Sequence, residues 1–434
     1  MIAIYTLHIT ARLKYVLNHI FSDQLGVAYT LTDDMAAIDP RAKVVIYYTV
    51  SDAAPGLDIH PSGLLEEKGH HFKNINITKF GAMQVMFADK SDFGFDIFSA
   101  VFYCLSRYEE YTAETKDSHG RFPHTASIFH NNNCLHIPLV DLWIQYLKRV
   151  LIEQYDMHPS VFKSTAFTIT PTIDVDSVFA YKGRGVVRQL AGYGQALITA
   201  NLYEVRKRFS TVTLGKTDPN DNFDFQLKAL DAQGLKANYF IQVGPYGPFD
   251  KNISLKNKNF RKIIQQIAKS GHSIGVHPSY QSNSDTGKIM KEKKALEAVL
   301  QIPVTASRQH LLKYHLPHTY KALVQAGITD EYSMGYSEVP GFRAGTSHAF
   351  NWYDLENEES TNLRIHPFCA MDVAFKQFLQ YDVTTTIGEI EKIKQQLKEL
   401  HGNFCFVYHN ESLSGHRGWQ GWEKVFEACL KHED

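Results

Sequence analysis

The stretch Ala166-Phe-Thr-Ile-Thr-Pro-Thr-Ile-Asp174-Val-Asp176 decides how this chain is read. Its β-branched and aromatic residues predict a strand, and the strand ends on two carboxylates. Side chains two apart on a strand share a face, so Asp174 and Asp176 point to one side if the strand runs through them. Carboxylates that close repel, and a cation or a shared proton is needed to stabilise them.

Downstream the pattern alternates. Phe223–Gly234 reads as a helix, Lys236–Gly244 as a strand, Asn259–Gly271 as a helix and His272–His277 as a strand. Helices are expected near 286–300, 317–326 and 387–401, the last opening on the capping-box signature Thr386-Ile-Gly-Glu389. Asn403–His409 is a nearly continuous apolar run, as in a strand buried on both faces, and Gly421–Leu430 makes a closing helix. Repeated βα units imply a parallel sheet, open or closed into a barrel. Three of these strands end in titratable residues: Asp174 with Asp176, then His277, then His409. In parallel α/β folds the carboxyl ends of strands converge on the ligand crevice.

Upstream the chain reads as a smaller α/β unit. Residues 2–9 form a strand, and Thr10 caps a helix with Leu13, Val16, Leu17, Ile20 and Phe21 on one face. Gly26 closes it. Strands follow around VAYTLT, KVVIYYTV and MQVMF, then helices near Asp96–Tyr111 and Leu139–Tyr155. A length of 434 residues argues for two units, placed at 1–160 and 161–434 with His158-Pro159 in the linker. The formal net charge of −1, with Lys and Arg scattered, gives no footprint for nucleic acid or an anionic surface. Five cysteines, far apart and without a CxxC, read as reduced buried thiols. The start carries no secretory signal pattern and no apolar run is long enough to span a membrane, so a cytoplasmic protein is the expectation.

In their order and spacing, Thr172-Ile-Asp174-Val-Asp176, Gly271-His-Ser-Ile-Gly-Val-His277 and Val407-Tyr-His409 resemble the polysaccharide deacetylases of carbohydrate esterase family four, the nodulation-deacetylase homology domain. Leu235-Lys-Ala-Asn-Tyr-Phe240 resembles a further element of that family. The resemblance covers about residues 165–434 and is nearest to a divergent branch with an extra N-terminal α/β domain. It implies a distorted (β/α)7 barrel that removes an acetyl group from an acetylated carbohydrate with a divalent metal, commonly zinc. By the same resemblance Asp174 is the catalytic base, Asp176 and His277 are metal ligands, and His409 is the general acid.

The family's second histidine, four residues after the first, is here Gln281. One Asp and one His make a weak metal site, and His310 in Ser307-Arg-Gln-His310 is the candidate for the missing imidazole. Arg308 and Arg343 compete as the arginine that orients the catalytic carboxylate. Tyr280, Trp352 and His366 are candidate substrate contacts, with Asp372, Tyr353, Trp419 and Trp422 as further ones. Gly192-Tyr-Gly194 lacks the third glycine of a dinucleotide fingerprint, and Gly215-Lys216-Thr217 lacks the upstream glycine of a P-loop. The segments Ser106–Tyr111 and Asp117–Pro123 are expected where the two units meet. Two other readings stand beside the deacetylase: a catalytically silent barrel that binds a glycan or a protein, motivated by Gln281, and a metal-independent glycosidase using Asp174 and Asp176. Oligomeric state is not legible.

Overall fold

A computed structural model describes residues 1–50 and 55–432 as a mixed α/β protein with two main sheets. Strands β1 (Ile2–Thr6), β2 (Tyr29–Thr32), β3 (Val44–Tyr48) and β4 (Leu57–Asp58) form a parallel sheet in the order β2-β1-β3-β4. Thr10 caps the helix Ala11–Leu17 by accepting from the Leu13 amide at 3.1 Å, and a π-helical stretch carries it on through Gln24. Gly26, at φ 64°, turns the chain where a Cβ would lie 2.7 Å from the Lys163 side chain. Strands β5 (Ile77–Phe80) and β6 (Met83–Met86) form a hairpin. The single helix expected over 96–111 is two, Ile97–Leu105 and Tyr108–Thr112. Arg107 breaks it at φ 55°, where its guanidinium reaches Glu109 and Glu110 at 2.9 and 2.8 Å.

The second sheet comprises β7 (Thr168–Val175), β8 (Asn238–Gln242), β9 (Ser273–His277), β10 (Ala306–Ser307), β11 (Asp330–Glu331), β12 (Phe350–Asp354), β13 (Glu359–Ile365), β14 (Ala370–Met371) and β15 (Asn403–His409). Its order is β12-β13-β11-β10-β9-β8-β7-β15-β14, and only the β12/β13 pair is antiparallel. The parallel strands follow one another around the sheet in chain order, as in a wound barrel. Among the described residues, strand pairing does not join β13 to β14, so the ladder is not closed there.

Helices Thr286–Leu300 and His318–Gln325 lie where the sequence places them. The helix expected from 387 begins at Val383, because Asp382 takes the cap and accepts from the Thr385 amide at 2.7 Å. Thr386 is then a buried residue of the first turn, its hydroxyl donating to the Asp382 carbonyl at 2.7 Å.

The packed side chains run without a break from the first sheet to the second. Tyr15 and Phe102 both lay their rings against Tyr353, with centroids 5.1 Å apart. Buried polar links cross the same seam. Arg12 Nε donates to Glu358 at 2.9 Å, Arg343 grips Glu110 at 2.7 and 2.9 Å, and Asp141 accepts from the Ser347 amide at 2.9 Å.

Candidate active site

In-register pairing aligns the strand ends. His409 on β15 lies opposite Asp174 on β7, Asp174 lies opposite Phe240 on β8, and Gln242 at the end of β8 lies opposite His277 at the end of β9. Asp176 follows β7 by one residue. Arg308 follows β10, and His310 opens the short turn His310–Leu312, where Leu311 holds φ 55°. These elements line a cavity of about 300 Å³ that also takes in Gln309, Leu312, Met371, Glu411 and Trp419.

Asp176, His277 and His310 face one another, with one ligand atom from each within 4.8 Å of the others. His277 Nδ1 lies 2.5 Å from the Arg308 carbonyl, an acceptor only, so Nδ1 carries the proton. The lone pair of Nε2 then points at Asp176 Oδ1, 3.1 Å away. Two acceptors at that distance need a proton or a cation between them. Asp176 Oδ1 is buried and has no hydrogen-bond partner. On the other side, His310 Nε2 lies 3.6 Å from Asp176 Oδ2, while its Nδ1 is held at 2.9 Å by Asp250. Burial alone would lower the His310 pKa, but Asp176 and Asp250 outweigh it and raise it to about 10. Burial would likewise raise Asp176, and the neighbouring His310 instead holds it well below the usual carboxylate range. A His₂Asp set with both imidazoles anchored through their second nitrogens fits a divalent metal of the zinc type.

Beside this triad sits Asp174. Its Oδ1 accepts from Arg308 Nη1 at 2.9 Å, and its Oδ2 lies 3.9 Å from both His277 Nε2 and His409 Nε2. Arg308 is fully buried, its Nε donating to the Tyr332 carbonyl at 3.0 Å. Asp372 accepts from the His409 amide at 2.8 Å and from the imidazole Nδ1 at 2.7 Å, which turns Nε2 toward the cavity. Burial opposes charge on His409, but Asp372, Asp176 and Asp174 together raise its pKa to about 10.

The other sequence candidates are placed elsewhere. Arg343 is clamped to Glu110 and to the Gly335 carbonyl and does not meet Asp174. Trp352 is buried, its Nε1 donating to Tyr111 Oη at 3.3 Å. His366 stacks on Tyr332 with ring centroids 4.3 Å apart and bonds Asp330 at 2.8 Å. Tyr280 does not line the cavity, but its hydroxyl lies 3.1 Å from Nδ1 of His119, which does. His119 and Arg121 both line the cavity, and Arg121 also donates to the Leu311 carbonyl at 2.6 Å. The segment Asp117–Pro123 thus closes one side of the site. Asp250 and Gln242 are additions that no strand-end histidine or carboxylate signalled.

Residues 2–156 match a family of unknown function, DUF7033. No curated protein matches. Among solved structures, a protein assigned as a polysaccharide deacetylase from Mycobacterium smegmatis aligns at 14% identity and a TM-score of 0.39, over 62% of this chain and 85% of that one. The polysaccharide deacetylase Bc1974 from Bacillus cereus aligns at 10% and 0.30, over 62% and 86%. BA3943, a carbohydrate esterase family four pseudoenzyme from Bacillus anthracis, aligns at 9% and 0.29, over 65% and 77%.

Proposed function

We propose that the protein is a metal-dependent hydrolase that removes an acetyl group from an acetylated carbohydrate, with its site in a deacetylase-type barrel at residues 161–434. The observation that carries this is the buried, unpartnered Asp176 Oδ1 facing the His277 lone pair, next to an arginine-held carboxylate and an aspartate-backed histidine. Asp176, His277 and His310 would hold the ion. A bound divalent metal, zinc by the donor set, supplies Lewis acidity toward the acetyl carbonyl and acidifies a water.

The remaining chemistry belongs to the chain. Arg308 fixes one oxygen of Asp174 and leaves Oδ2 to take a proton from the attacking water. As the C–N or C–O bond breaks, His409 Nε2 gives its proton to the departing sugar nitrogen or oxygen. Asp372 keeps His409 charged until then and fixes its orientation. Met371, Leu312 and Trp419 give the cavity an apolar side that strengthens these charge interactions by excluding water.

Gln281 motivates a silent binder, and the approach of His310 Nε2 to Asp176 supports the enzyme over it. The glycosidase reading is disfavoured because Asp174 and Asp176 converge on one imidazole instead of flanking a bond. Acetate release from acetylated chito-oligosaccharide by metal-loaded protein tests the activity. Asp174→Asn and His409→Ala should each lower the rate by roughly two to four orders of magnitude with the fold retained. Wild-type acetate release by either variant would overturn the assignment.

A further inference from the structure

Between β7 and Asp218 the chain leaves the sheet and forms two helices, Val186–Ile198 and Leu202–Val212, that the sequence pattern did not reveal. They are built inside out. Their inner surface is polar: Arg208 is buried, donates to Gln189 Oε1 at 3.0 Å and pairs with Glu204 at 3.3 Å. Gly192 permits this crossing, since a Cβ there would lie 2.5 Å from the Arg208 guanidinium. The glycines that look like a fragment of a dinucleotide motif therefore have a packing reason.

The outer surface is apolar. Val187 and Ile198 are 80% and 88% exposed, and Val186, Leu190, Leu197 and Leu202 are exposed with them. Nearly half of the exposed large apolar side chains among the described residues fall within 186–214. A soluble helix normally turns its apolar stripe inward, and a contiguous outward one marks a surface made for an apolar partner.

Charge identifies the partner. Residues 182–216 hold seven basic side chains against the single acid Glu204; with Arg208 and Glu204 paired on the inner surface, six basic side chains and no acid remain, in a chain of formal net charge −1. The basic residues are spaced rather than contiguous, which hides them from a search for a basic run. Arg188 lies over the exposed Tyr246 ring at 3.8 Å, with Lys251 Nζ 5.1 Å from the same ring. Apolar side chains fringed by Arg, Lys and an amphipathic aromatic are what an interfacial helix presents to anionic lipid. A second copy docked on this face would instead bring two strongly basic surfaces together.

We propose that the hairpin 182–216 is a membrane-interface element, seating its apolar outer face in the headgroup region of an anionic bilayer. Among the described residues no helix is long and apolar enough to cross a membrane, so the hairpin lies in the surface. It rises from the carboxyl end of β7, the end that carries Asp174 and Asp176. Glu204 ties it to the cavity loop, accepting from Arg417 at 2.9 Å and lying 2.9 Å from His416 Nε2. That loop ends at Trp419, which lines the cavity. The bound protein would present its cavity near the bilayer, where an acetylated sugar carried on a lipid would be met. This last consequence rests on the proposed activity, whereas the binding does not.

Cosedimentation of the full chain with vesicles tests the proposal without any assay of catalysis. Wild-type protein should pellet with phosphatidylcholine mixed with phosphatidylglycerol, pellet far less with phosphatidylcholine alone, and be released as NaCl rises. The pair Leu197→Asp/Ile198→Asp should abolish pelleting. The pair Arg206→Glu/Lys207→Glu should weaken binding to the anionic vesicles by roughly tenfold or more and flatten the salt dependence. Wild-type protein that stays in the supernatant with both vesicles overturns the proposal. So does a concentration-dependent dimer, lost in Leu197→Asp, without vesicle binding. Should a variant fail to fold, the wild-type lipid and salt comparisons still decide.

Discussion

Asp250 holds His310 by its Nδ1 at 2.9 Å, on the side of the ring away from Asp176. The same carboxyl oxygen accepts from Gln242 Nε2 at 2.8 Å and from the Tyr280 amide at 3.0 Å, so Asp250 is itself fixed. An imidazole anchored in this way can offer Nε2 to an ion without reorganising. Partners of this kind typically matter by roughly ten- to a hundredfold in metal affinity. Asp250→Asn should therefore weaken zinc binding by about that factor, measured by competition with a chelating indicator. Unchanged affinity would remove His310 from the ligand set.

Metal uptake should also release protons. With its pKa raised to about 10, His310 is protonated at neutral pH in the metal-free protein, and an ion at Nε2 must displace that proton. Calorimetric titration near pH 8 in buffers of different ionisation enthalpy should report about one proton released per ion. The apparent affinity should rise with pH until His310 deprotonates unaided. In His310→Gln the proton release should vanish along with most of the affinity.

Asp372 sets the working range of His409. The Asp372 carboxylate favours the charged imidazole, so the alkaline limb of turnover should lie above the ordinary histidine value of about 6.5. Removing the carboxylate in Asp372→Asn should move the alkaline limb down toward the ordinary histidine value of about 6.5. For stability the sign is the same. The stabilising pairing is complete below about 6.5 and is lost as pH rises through the folded value. An alkaline limb that stays in place in the variant would separate His409 from the proton transfer.

Much of this site is written in strand ends. Asp174, His277 and His409 close runs long enough to be read as strands, and parallel pairing in register brings them to one edge. His310 and Arg308 follow β10, a strand of only two residues, which leaves no periodicity to read. Their placement was accessible only through the resemblance at Ser307–His310. Asp250 and Gln242 support from a loop and from a strand whose end carries an amide, which no search for titratable strand ends finds. Arg343 illustrates the opposite failure. Its flanking Gly and Phe residues promise a buried position, and it is buried, but burial does not say against what. The inside-out hairpin shows another limit: its apolar residues have helical spacing, but spacing does not say whether the stripe faces the core or solvent.

Arg343 and Glu110 supply the last test, because they separate a folding role from a catalytic one. The two side chains meet at 2.7 and 2.9 Å across the seam between the two sheets, both buried, with Arg107 adding a second contact to Glu110 at 2.8 Å. Burial would raise the Glu110 carboxyl, but Arg343 and Arg107 outweigh it and hold its pKa at about 2. The stabilisation is thus present above the unfolded value of about 4.3 and disappears as pH falls through the folded one. Breaking such a pair from one side leaves an uncompensated buried charge, at a cost of about 3–5 kcal/mol. Arg343→Met should lower stability by that amount in denaturant unfolding at neutral pH, and the deficit should shrink toward pH 3. The double variant Arg343→Met/Glu110→Gln should recover part of it, since Arg107 then keeps a neutral partner. Below its melting transition, Arg343→Met should hydrolyse acetylated substrate at the wild-type rate, whereas Arg308→Met, which frees Asp174, should not. Loss of turnover in Arg343→Met at full occupancy of the folded state would return this arginine to the catalytic machinery.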